Sequence, residues 1–113
     1  MTASASEERF QRRAAAAEIN GRRVNEAIEP QGRLDRTAVF VCECGHVGCS
    51  ETVEITVAGY EAVRTGFDRF FVVPGHEIEK VDEVVEKHSD YLVVVKRAPE
   101  AREMAQASDE RSP

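Results

Sequence analysis

All three cysteines of this 113-residue chain fall within eight consecutive positions, as Cys42, Cys44 and Cys49 in the pattern C-x-C-x4-C. Three thiols cannot pair off completely, and disulfide frameworks belong to small secreted domains with even cysteine counts. A metal ion explains such a concentration economically. Thiolates bind Zn2+ tightly, a structural site takes four N or S ligands, and ligands spaced along a turn can converge on one ion. Gly45 and Gly48 lie inside the run and allow the tight backbone this requires. Two other readings stay open. The cysteines could be small buried thiols with no metal. They could also act as a redox pair, although a C-x-C bridge closes a small strained ring and no C-x-x-C opens a helix.

Three cysteines leave a fourth position to fill, and the chain has His46, His76 and His88 to offer. His46 sits inside the loop, where its binding would force short consecutive chelate rings onto one ion. His76 follows a short apolar run and a Pro-Gly pair, a place from which a remote ligand can be aimed back at a hairpin, and it is the preferred candidate. His88, at a turn between two strand-like segments, comes second; His46, Glu43 or water follow. Each histidine taken alone would read as an ordinary loop residue.

The rest of the chain organises around this cluster. Residues 1–8 are small and polar and are expected to be disordered. Phe10, Ala14, Ala17, Gly21, Val24 and Ile28 recur at helical spacing, which predicts a long helix over 9–30 with this thin stripe as its packing face. Ser6 is its expected N-cap, Glu7 and Glu8 favour its first turn, and Pro30 and Gly32 stop it. TAVFVC (37–42) and 51–55 read as strands joined by the cysteine loop. Thr56 should cap a short helix over VAGYEAVRT, closed by Gly66. FFVV is a short strand ended by Pro74 and Gly75. The segment 77–96 is ambiguous by period, but its β-branched content and the polar break HSD favour a hairpin. Its second arm, YLVVVK, is a continuous apolar run that implies a strand buried on both faces. Residues 98–113 are expected to form a flexible tail, with a frayed helical turn at most before it becomes disordered. The fold class is therefore α+β: a long N-terminal helix plus a small, mainly antiparallel sheet over 37–97 with a zinc-knuckle hairpin.

Composition narrows the function. No apolar run approaches the roughly 20 residues of a membrane span, and the N-terminal sequence lacks the pattern of a secretory signal, so a cytoplasmic setting is expected. The net charge is −6, with +1 on residues 1–36 and −7 on the remainder, which disfavours a nucleic-acid-binding module. Fourteen of the apolar residues are Ala and there is no Trp, so the core is small and a metal staple would help it. Catalytic signatures are missing. His76-Glu77 begins like H-E-x-x-H, but Lys80 stands where the second His belongs, and no P-loop, dinucleotide fingerprint or G-x-S-x-G occurs. Three thiolates would also make a metal-bound water a poor acid, leaving Glu43 or Glu77 little to do as a base. An enzyme is not expected.

The runs FVCECGHVGC, E-x-V-x-x-T-x-x-x-Y-E-A-V-R, VPGHE and EKHSDYLVVVK, in that order over residues 38–97, resemble a group of small uncharacterised bacterial proteins. The resemblance implies no activity. It implies that the three cysteines and the positions of His76 and His88 are recurring features, whereas that of His46 is not. It also implies an acidic residue at the third position of the short helix, where this chain has Gly59. Together these readings give one Zn2+ held by Cys42, Cys44, Cys49 and His76. The site would support a protein-protein interaction or regulatory module that meets a partner, or itself, through the N-terminal helix. A redox- or metal-responsive regulator is the alternative, and a nucleic-acid-binding zinc module the third.

Overall fold

The structure, a computed structural model, describes residues 5–28, 35–97 and 99–109. It is an α+β fold with a long N-terminal helix and small antiparallel sheets. The order is α1 (Ala5–Ile28), β1 (Thr37–Val41), β2 (Thr52–Thr56), α2 (Val57–Val63), β3 (Arg69–Val72), β4 (Asp82–Lys87), β5 (Leu92–Lys96) and α3 (Pro99–Ala107). β1 and β2 form an antiparallel hairpin whose connection carries Cys42, Cys44 and Cys49. The other three strands form an antiparallel sheet in the order β3-β5-β4.

The β-branched run of β5 takes the central place in that sheet, which is why Leu92, Val93 and Val94 are all buried. β4 pairs with it as a hairpin and carries an irregularity between Val84 and Glu86. The two sheets meet where the Glu43 amide donates to the Phe71 carbonyl at 3.0 Å. One side of the core gathers Phe40, Val53, Ile55, Tyr60, Val63, Phe71 and Val93, with the rings of Phe40 and Tyr60 stacked at 4.5 Å. The other gathers Phe70, Val72, Leu92, Val94 and Ala105 around Cys42 and Cys44.

Thr56 caps α2 as its position suggests, its hydroxyl accepting from the Gly59 amide at 3.0 Å. A Cβ at Gly59 would lie 2.9 Å from Ile55 Cγ2, so the space for an acidic side chain is taken. α2 ends at Arg64 rather than at Gly66, which has no positive φ. α1 begins at Ala5, before Ser6, so Ser6 lies inside the helix and the disorder expected over 1–8 gives way to helix from residue 5. Residues 1–4 and the stop signals Pro30 and Gly32 fall outside the described residues.

Two larger differences concern the helices. The face α1 buries against the domain shares only Ala14 with the Phe10-to-Ile28 stripe. It is Ala14, Ala15, Glu18, Ile19, Arg22 and Asn25, while Phe10, Val24 and Ile28 stay 44, 47 and 38 % exposed. Specific polar bonds override the weak Ala/Gly pattern. Arg22 donates to the carbonyls of Phe67 (2.7 Å) and Arg69 (2.5 Å) and lies over the Phe70 ring at 3.6 Å. Glu18 meets the buried Lys96, whose other partner is Asp82 at 2.5 Å. The second difference is the tail. Residues 99–107 form α3, with Ala101 and Ala105 buried in its packing against α1 and β5. Ala positions four apart supply a flat stripe that a neighbouring helix can cover. Arg64 ties the same end of the molecule together, contacting Glu26 at 2.7 Å and Asp109 at 2.8 Å.

Candidate metal centre

Three separate segments deliver four side chains to one place. Cys42 and Cys44 follow the end of β1, Cys49 closes the loop before β2, and His76 follows β3. Two turns of the same build aim the last two. In 46–49 the Cys49 amide donates to the His46 carbonyl at 3.2 Å, and Gly48 has φ +84°. In 73–76 the His76 amide donates to the Val73 carbonyl at 2.9 Å, and Gly75 has φ +94°. Positive φ at the third residue marks a type II turn, which needs glycine there and suits Pro74 at the second position. Each turn therefore hands over a donor side chain at its fourth residue.

The Sγ atoms of Cys42, Cys44 and Cys49 and a ring nitrogen of His76 all lie within 4.8 Å of one another. His76 Nδ1 is 3.7 Å from Cys42 Sγ and 3.5 Å from Cys49 Sγ. A tetrahedral ion with Zn–S near 2.3 Å and Zn–N near 2.05 Å separates its S and N ligands by about 3.6 Å. The group could thus hold a metal ion with little rearrangement. No disulfide joins the cysteines.

The surroundings favour sulfur as a ligand. The Val73 amide donates to Cys42 Sγ at 3.2 Å, the kind of outer contact that orients a metal-bound thiolate. Burial works the other way, pushing the Cys42 thiol well above its ordinary range and raising Cys44 as well. α1 reaches the site closely. A Cβ at Gly21 would stand 3.2 Å from the Cys42 carbonyl oxygen, and one at Gly45 would stand 2.8 Å from Ala14 Cβ. Glycine at both points brings helix and knuckle backbone into contact.

The other sequence candidates are elsewhere. The His46 ring is exposed and edge-on to His76 at 5.8 Å, outside the four-donor group. His88 stacks on Tyr91 at 4.3 Å and its Nε2 lies 2.9 Å from Glu86. Glu77 accepts from the Gly75 amide at 2.7 Å, bracing the turn that carries His76. Glu43, between the first two cysteines, is fully buried in a set of bonds of its own: Asn25 Nδ2 and the Tyr60 hydroxyl each donate to Oε2 at 2.9 Å, and the Phe71 amide donates to Oε1 at 3.2 Å. Burial raises its carboxyl above the ordinary range. Asn25 also spans Val41, donating to its carbonyl at 2.8 Å and accepting from its amide at 2.7 Å.

Sequence reasoning missed this supporting set of Asn25, Glu43, Tyr60 and Arg22. One signal pointed to it: Glu18, Arg22 and Asn25 recur at spacings of four and three, a polar stripe at helical period. The class defined by fold and site is a small α+β protein with a Cys3His group able to hold a metal ion. No protein-family model matches the chain, and no curated protein or solved structure matches it either. Among the described residues, no helix is long and apolar enough to cross a membrane.

Proposed function

We propose that the chain is a zinc protein in which Cys42, Cys44, Cys49 and His76 hold one Zn2+ as a structural centre, and that it works as a protein-interaction or regulatory module. The observation that carries this reading is the spacing of four donors from three segments, with S–N separations of 3.7 and 3.5 Å. Four protein ligands complete a tetrahedral shell and leave no position for substrate. The ion would supply rigidity, because its binding free energy is also folding free energy for a domain with a small core. Thiols kept for a metal suit a reducing compartment such as the cytoplasm. The test is elemental analysis of protein purified without a metal-affinity column, paired with thiol titration before and after denaturation in chelator. About one zinc per chain, with three thiols reacting only after chelation, is the expected result. Metal-free protein with three reactive thiols would end the proposal.

A redox-responsive regulator is the second reading, favoured by one feature: all three cysteines line an open cleft beside α1. An oxidant entering there would reach sulfur, and release of metal with a change of fold under mild peroxide would select this reading over a static centre.

A further inference from the structure

Between α1 and the knuckle loop runs a cleft of about 570 Å³, walled by Ala17, Gly21 and Val24 on one side and Val47 on the other, over a floor of Val41 and the cysteines. Of the stripe that the sequence marked as the packing face of α1, Ala17, Gly21 and Val24 line this cleft, and Val24 stays 47 % exposed there. Val47, at the loop tip, is 75 % exposed, so both walls of the cleft present apolar side chains to solvent. We propose that the cleft is the docking site of an amphipathic helix carried by another protein, with apolar residues along one face and acidic residues on its flanks. This rests on the reading of the chain as an interaction module and gives its partner a chemistry.

Charge decides the flanks. Among the described residues, no Asp or Glu lines the cleft, and Arg13 is the one charged residue that does. Arg9 stands exposed one turn earlier on the same side of α1. A bound Zn2+ with three thiolates would add one negative charge, but at the floor, where the incoming side chains are apolar; the rim stays basic. The α1 wall of the cleft, from Arg13 to Val24, runs about 17 Å along the helix, which sets the contacting part of the partner segment at about three turns. A second copy of this chain fits poorly. Its α1 would bring arginines against arginines, α2 buries its apolar residues in the core, and α3 packs its own on α1. Helix-in-groove recognition by spaced apolar anchors is the mode that remains.

The experiment uses the full chain, its metal content measured, as bait for a displayed library of 18-residue amphipathic helices with a fixed apolar stripe and randomised flanks. Fluorescence anisotropy then follows binding of the enriched peptides. Enrichment of Asp and Glu at the flanks is expected, with binding weakened at least about tenfold by Val24→Asp or Val47→Asp in variants whose circular dichroism is unchanged. The pair Arg9→Glu and Arg13→Glu should shift preference to Lys-flanked peptides. No enrichment, enrichment of basic flanks, indifference to these substitutions, or dimers in sedimentation velocity that Val24→Asp dissolves would each overturn the proposal. Metal present without enrichment ends the docking claim alone; enrichment by a chain lacking metal ends the zinc reading alone.

Discussion

At the residue scale, the four donors differ from their neighbours in where their backbone stands. Cys44 is buried and shares the floor of the site with Cys42, so Cys44→Ser should lose the metal and, with it, most of the fold, read by elemental analysis and circular dichroism. The histidines make a sharper comparison. His76→Ala should lower metal affinity by at least about a hundredfold, the effect of removing one of four ligands. His46→Ala should leave both metal and fold in place, because its ring only edges against His76. Competition with a chromophoric chelator separates the two, and the opposite ranking would move the fourth ligand to His46. The cysteines were legible in the sequence because thiols so close together have few other uses, and His76 because a Pro-Gly turn gave it direction. Glu43 was not: as the residue between two cysteines it reads as a ligand or base, and only its bonds to Asn25, Tyr60 and Phe71, all distant in sequence, hold its carboxylate in a buried place of its own.

At the scale of elements, the two turns that end in Cys49 and His76 set the donor geometry. Gly75 has open space around its missing Cβ, so the whole effect of Gly75→Ala comes from forcing an L side chain to φ +94°. That costs about 1–2 kcal/mol in the ligand-bearing conformation, or a drop in metal affinity of about tenfold, measurable by the same competition assay. An unchanged affinity would mean that the turn does not preorganise His76. Strands and turns were readable in the sequence, since β-branched runs bounded by Gly, Pro and polar breaks admit little else. The orientation of α1 was not. Its apolar stripe is real, but Ala and Gly bury too little to fix a helix azimuth, and the bonds of Glu18, Arg22 and Asn25, all made to residues distant in sequence, set it instead. α3 was hidden for a similar reason: a short Ala-rich segment is helical only because α1 is there to cover it.

For the molecule as a whole, one cation faces two buried carboxylates, Glu18 and Asp82, where α1, β4 and β5 meet. Burial draws the Lys96 ammonium down to about 7, and a single cation can neutralise only one of the two. Asp82 is the other: burial pushes its carboxyl from 3.8 up to about 6. The folded state then holds this proton more tightly than the unfolded chain, so Asp82 makes stability fall as pH rises from about 4 to about 6, by up to about 3 kcal/mol. Asp82→Asn should remove that slope. Denaturant unfolding of both proteins at several pH values checks it through their difference, which cancels the opposing effect of acid on metal binding; a flat difference would show Asp82 ionised throughout.

The side-chain amide of Asn25 does something further for an assembly of such molecules. By occupying both backbone groups of Val41, it takes the place that a neighbouring strand would hold beside β1. A two-stranded ribbon with a free margin is a template on which other chains can add. Here one residue of a helix occupies that margin at Val41, so unseating α1 would bare a pair of strand-edge groups beside the knuckle.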